Sequence, residues 1–167
     1  ITIDGKEYPL RDSMFPTIDP ADPYKLTDEE QDIVQKLHNS FTGSEKLRKH
    51  MKCLFRYGCM YNVCNSNLLF HASMPLNEDG TLKEIDILGK KYKGESLLKR
   101  VGQLIRTAYF AENDNEEKGF ALDYVWYLWC GKDSPAFDKS KMATFERYFI
   151  ADAAAHKEIK GFYYTLR

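Results

Sequence analysis

The stretch "NLLFHASMP", residues 67–75, ends an apolar, strand-like run on His71. Imidazole is the commonest metal-binding side chain and the one that changes charge near neutral pH. A strand holds the side chain at its tip rigidly, the small Ala72 and Ser73 leave room beside it for a metal or substrate, and Pro75 turns the chain away. The competing reading is a structural histidine with both ring nitrogens satisfied. Cys53, Cys59 and Cys64 could join His71 as a zinc set on paper. The gaps of five, four and six residues between them fit no common zinc module, in which ligand pairs lie about two to four residues apart. The plainer expectation is that these thiols, with Cys130, are reduced and buried.

Other candidate chemistry is weaker. "GKKYKGES" lacks the spacing that lets a P-loop cradle phosphates, so Lys90, Lys91 and Lys93 read as a solvated loop or edge strand. No glycine is followed by Asp, Asn or His, which removes the GD, GN and GH metal signatures. "NEDG" and "ENDNEEKG" lack the alternating ligands of a calcium loop and read as turns. His38, His50 and His156 sit in charged stretches and read as surface residues. In "TFERYF", Arg147 stands among aromatic residues, where an arginine forms a packed ion pair with a carboxylate or anchors a phosphate. The aromatics Tyr124, Trp126, Tyr127 and Trp129 could stack on bases or sugars, but their distribution around a helix favours a core between layers.

The elements that position these residues follow from period and punctuation. Residues 1–26 carry Pro9, Pro16, Pro20 and Pro23 and cannot sustain a helix, so an extended arm lying on another part is expected. Thr27 and Glu30 form a capping box ahead of Ile33, Val34, Leu37 and Phe41 at helical spacing. Gly43 stops that helix, Ser44 caps a second with Leu47, Met51, Leu54 and Phe55 on one face, and the two should pack together. "CMYNVC" and "NLLFHAS" are β-prone runs around a tight turn at Asn65 and Ser66, and Leu82 to Leu88 alternates as a strand does. Leu97, Leu98, Val101, Leu104, Ile105 and Ala108 mark a clear amphipathic helix. The aromatic helix ends at Gly131, and "MATFERYFI" reads as helix. The fold class is α+β: mostly helical, with a small antiparallel β element. The units are the arm at 1–26, a helix pair and β unit at 27–88 carrying His71, and a helical insertion at 89–167.

The chain of 167 residues is long enough for one core. Its net charge of −1 argues against broad attraction to nucleic acid or an anionic membrane surface. Its apolar runs are shorter than the ~20 residues a membrane span needs. The four cysteines show no disulfide-dense pattern and no charged-then-apolar stretch opens the sequence, so a cytoplasmic setting is the default expectation. It opens on Ile1 rather than Met, so a piece of a longer protein is expected.

In this order, "EKLRKHM", "NLLFHASMPLNEDG", "WYLWCG", "MATFERYFI" and "HKE…YYTLR" closely resemble the central part of bacterial class III fructose-1,6-bisphosphatases. That family resembles the calcineurin-like metallophosphoesterases, whose centre holds two metal ions, usually Mn2+ in this class. The resemblance implies an α/β/β/α sandwich carrying a helical insertion. "LLFHASMP" matches a strand-end metal motif, with His71 in the ligand position and Ala72 and Ser73 where the motif has two glycines. The other ligands, in GDxH, GDxxDR, GNH[ED] and a final GH, are expected before Ile1 and beyond Arg167. The implied reaction is hydrolysis of fructose 1,6-bisphosphate, a gluconeogenic step, by the complete protein, with this piece inactive alone. Arg147, Lys157 and Tyr164 lie in the matching segments and become candidates for binding the second phosphate. The alternative is a non-catalytic helical interaction or oligomerisation module. An exposed strand edge beside His71 would favour some self-association.

Overall fold

The computed structural model describes residues 1–137 and 139–161, with Tyr163 and Tyr164 as backbone, and its elements follow from local chemistry. The arm is not wholly extended. Strands β1 (Thr2–Ile3) and β2 (Lys6–Glu7) form a hairpin whose turn places Asp4 and Gly5 at φ 51° and 79°. Tyr8 is buried with Ile150 and Ala155, and the Arg11 N–H donates to the Phe149 carbonyl at 2.7 Å. The arm therefore lies on the C-terminal part of the chain.

Helix α1 (Asp28–Gly43) starts where expected: the Glu30 N–H donates to Thr27 Oγ1 at 3.3 Å, and the Glu30 carboxylate accepts from the Thr27 N–H at 2.8 Å. Helix α2 (Glu45–Tyr57) is capped by Ser44, which accepts from the Leu47 N–H at 3.2 Å. Gly58 ends it, donating to the Leu54 carbonyl at 2.7 Å; a Cβ at this position would stand 2.4 Å from that oxygen. One expectation fails. Neither helix has a buried residue, so the pair does not form a core of its own.

Strands β3 (Tyr61–Cys64) and β4 (Asn67–Phe70) pair antiparallel around Asn65 and Ser66, both at positive φ, as a two-residue hairpin turn of the I′ kind requires. The short β5 (Met74–Pro75) follows. The alternating run from Leu82 narrows to β6 (Ile85–Ile87), because Leu88 and Gly89 turn at positive φ into β7 (Lys90–Tyr92). Helices α3 (Gly94–Phe110) and α4 (Glu116–Cys130) bury Leu97, Val101 and Leu104 against Ala121, Tyr124 and Leu128, with Ile87 beneath. Each of the larger apolar side chains buried here contributes about 1.5–3 kcal/mol. After them come β8 (Lys139–Lys141), the short α5 (Phe145–Phe149), a 3-10 turn at Ala153–His156, β9 (Ile159–Lys160) and β10 (Tyr163–Tyr164). The expected helical insertion at 89–167 thus contains helices at 94–110, 116–130 and 145–149, with short strands after residue 138.

Two further expectations are corrected. Cys53, Cys59, Cys64 and Cys130 are free thiols, as expected, but all four are exposed. On α4 only the stripe Ala121, Tyr124 and Leu128 is covered by α3, so Trp126 and Trp129 are 74% and 78% exposed and the helix is not sandwiched.

Candidate functional site

His71 follows the last residue of β4 directly and is exposed. The chain then dives inward. Ser73 is fully buried, its N–H donating to the Pro135 carbonyl at 3.2 Å and its hydroxyl to the Ser134 carbonyl at 3.3 Å. Ser134, also fully buried, donates its hydroxyl to the Leu128 carbonyl at 2.9 Å and accepts from the Ala136 N–H at 3.2 Å. A small residue at 73 is thus explained by close backbone approach to the turn after α4. The buried Met74 and Pro75 lie in β5, which pairs with β10 in the register Met74↔Tyr164 and Pro75↔Tyr163. The Pro75 carbonyl accepts from the Lys83 N–H at 3.1 Å, and Lys83 Nζ meets Asp133 Oδ2 at 2.7 Å. Segments far apart in sequence ("HASMP", "NEDGTLK", "GKDSP" and "YY") therefore meet around β5.

The other candidates lie elsewhere on the fold. Arg147, in α5, reaches Glu158 Oε1 at 3.1 Å, and Lys139 Nζ holds the second oxygen of that carboxylate at 2.6 Å. Of the two readings open to Arg147, the ion pair is the one formed, although its side chain stays 56% exposed. The hydrogen bond from Lys139, with the charges of Arg147 and Lys139, holds the Glu158 carboxyl below its ordinary range. Lys157 is exposed beside this cluster. Tyr164 is placed by its backbone in β10, and its side chain lies outside the described residues. Sequence reasoning missed Glu158 and Asp133. Their partners are 19, 11 and 50 residues away, and no local pattern marks such pairs.

Among the described residues no three His, Cys, Asp or Glu side chains are grouped to hold a metal ion. Two hollows stand out. One, of about 810 Å³, is open and is bordered by Asn77, Thr81, Lys83, Glu84 and Lys93; Glu84 neutralises Lys93 at 3.3 Å and Asp133 neutralises Lys83. The second, of about 370 Å³, is lined by Lys52, Arg56, Arg106 and Phe110. No helix among the described residues is long and apolar enough to cross a membrane.

With β4, β5 and the segments around them in place, comparison with known proteins gives the class. The family model described as Firmicute fructose-1,6-bisphosphatase matches residues 1–167, and the chain belongs to that family. It is 72% identical over 98% of its length to a protein of Phocaeicola vulgatus named fructose-1,6-bisphosphatase class 3, covering 24% of that protein. Proteins with the same name from Bacteroides fragilis and Parabacteroides distasonis are 70% and 64% identical, over 98% and 100% of this chain and 25% of each relative. The chain thus spans about a quarter of the length of the curated relatives it matches. No solved structure matches it.

Proposed function

We propose that this chain is the central part of a fructose-1,6-bisphosphatase, which hydrolyses fructose 1,6-bisphosphate to fructose 6-phosphate and phosphate. In that reaction water adds to the phosphorus of the 1-phosphate, the bond from phosphorus to the sugar oxygen breaks, and a proton goes to that oxygen. The observation that supports this reading is family similarity running through every residue of the chain. The relatives' names carry the activity, and it comes to this chain as an inference from them.

The same reading makes the chain part of a metallophosphoesterase sandwich and makes His71 one ligand of a manganese pair. The exposed imidazole at the end of β4 is free to accept a metal from outside the described fold. By themselves the residues present do not fit a two-metal centre, because one imidazole cannot satisfy two divalent ions that each need several donors. The 167-residue chain is accordingly proposed to be inactive alone, in a cytoplasmic protein, and to self-associate through surface that other segments would otherwise cover. Arg147, Lys157 and Tyr164 remain proposed contacts for the second phosphate; Arg147 would have to release or share Glu158 to serve.

The test is phosphate release with manganese, comparing the complete protein and this chain, together with metal content by mass spectrometry. His71→Ala in the complete protein should lower both bound manganese and turnover. Full metal content with full activity in that variant would remove His71 from the centre. Arg147→Ala should raise KM with metal content intact, and unchanged kinetics would leave Arg147 a structural ion pair.

A further inference from the structure

We propose that the cleft between α2 and α3 binds a phosphate-bearing small metabolite. Its walls are two one-turn pairs: Lys52 and Arg56 on α2, Arg106 and Phe110 on α3. The Arg106 guanidinium is held in place by the backbone, donating from Nη1 to the Gly102 carbonyl at 2.9 Å and from Nη2 to the Gly58 carbonyl at 2.7 Å. Glycine at 102 makes room for this: a Cβ there would stand 3.3 Å from Nη1 and 3.7 Å from the Met60 side chain. A helix interior otherwise disfavours glycine. The guanidinium has five N–H groups, so donors remain for a ligand after both carbonyls are served.

The electrostatics call for an anion. Among the described residues none of these three cations has a carboxylate within ion-pairing distance, whereas Lys83, Lys91, Lys93, Lys139 and Arg147 each have one. Like charges one helical turn apart repel, and the Arg106 position adds a third positive group to that pair. A phosphate monoester, carrying close to two negative charges and three acceptor oxygens, matches such a set, and arginine recognises it in a planar, forked geometry. The volume of about 370 Å³ exceeds a bare phosphate and lies at the small end of metabolite sites. Phe110 supplies an apolar wall for the carbon skeleton, so a phosphorylated small molecule is favoured over the inorganic ion.

The experiment is calorimetric titration of the complete protein, without manganese, using inorganic phosphate, glycerol 3-phosphate and fructose 1,6-bisphosphate as probes. Glycerol 3-phosphate should bind, inorganic phosphate should bind more weakly, and Arg56→Glu should weaken both about tenfold or more. Arg56 is exposed, so the variant should fold; circular dichroism checks this. The separate variant Phe110→Ala should weaken glycerol 3-phosphate but not inorganic phosphate. Hydrolysis kinetics of Arg56→Glu then name the source of the ligand: a raised KM for fructose 1,6-bisphosphate makes it the substrate, and an unchanged KM makes it another phosphorylated metabolite. No heat with any probe, or equal binding by wild type and Arg56→Glu, overturns the proposal. So does binding that appears only in the 167-residue chain, which would mean that an acidic segment of the complete protein fills the cleft. Because binding is read without metal or turnover, failure of the phosphatase reading would leave this result standing.

Discussion

Helices α1 and α3 carry apolar residues at the same spacing, yet Ile33, Val34, Leu37 and Phe41 are 50–67% exposed while Leu97, Val101 and Leu104 are fully buried. The contrast extends to their neighbours. Val63, Leu68 and Leu69 of the β3–β4 hairpin and Leu54 of α2 are also exposed, whereas Ile87 of β6 is buried under α3. An amphipathic period announces that a face wants cover. It does not say which part of a protein supplies the cover. In the α3–α4 region the partner is local, two helices joined by a short polar turn. In the α1–α2 region α2 touches α3, with the Phe55 and Tyr109 rings 4.7 Å apart, but no residue of α1 or α2 is buried, and an isolated helix of the length of α1 is marginal in water.

The largest expected effect tests that contrast directly. Leu104→Ala should destabilise the chain by about 2–5 kcal/mol, and Leu37→Ala by no more than about 0.5 kcal/mol, in urea unfolding of this chain. Comparable losses would mean that α1 is covered in solution after all. Next comes Tyr124, whose phenol burial pushes up to about 12. A raised pKa stabilises the fold below the ordinary value and loses that contribution as pH rises from about 10 to about 12. The loss amounts to about 2–3 kcal/mol. Tyr124→Phe should abolish that alkaline loss, and an unaltered pH profile would place the phenol in water.

Thiol reactivity sharpens the comparison further. Cys53, Cys59 and Cys64 lie in the uncovered region and should be modified quickly in this chain by a thiol-directed reagent. In the complete protein we expect the same three to react much more slowly. Equal rates would show that the apolar face is open there too. The smallest effect concerns Glu158, whose lowered pKa contributes stability above the ordinary glutamate value of 4.5 and loses it as pH falls below. Glu158→Gln should therefore lower the melting temperature slightly at neutral pH, with the gap closing in acid. A gap that persists undiminished at low pH would assign the effect to packing instead of charge.

How much could be read beforehand depends on how far apart the interacting residues are. The Thr27 cap, the Ser44 cap, the Asn65–Ser66 turn and the end of α4 at Gly131 all emerged from patterns within a few residues. The family resemblance, too, was legible in short collinear motifs. The candidate site was legible only in part: His71 could be singled out, but the reason for a small residue at 73 could not. That reason is Ser134, 61 residues away.

By itself, the order of residues determined where helices begin and stop, where the hairpin turns, and the family to which the chain belongs, because caps and turns close hydrogen bonds among near neighbours. Tertiary structure alone decided which apolar faces are covered, that Trp126 and Trp129 point outward, that Glu158 takes Arg147 and Lys139, and that Lys52, Arg56 and Arg106 share one cleft. Burial and ion pairing depend on what stands across a gap in space, and spacing along a chain does not encode that distance.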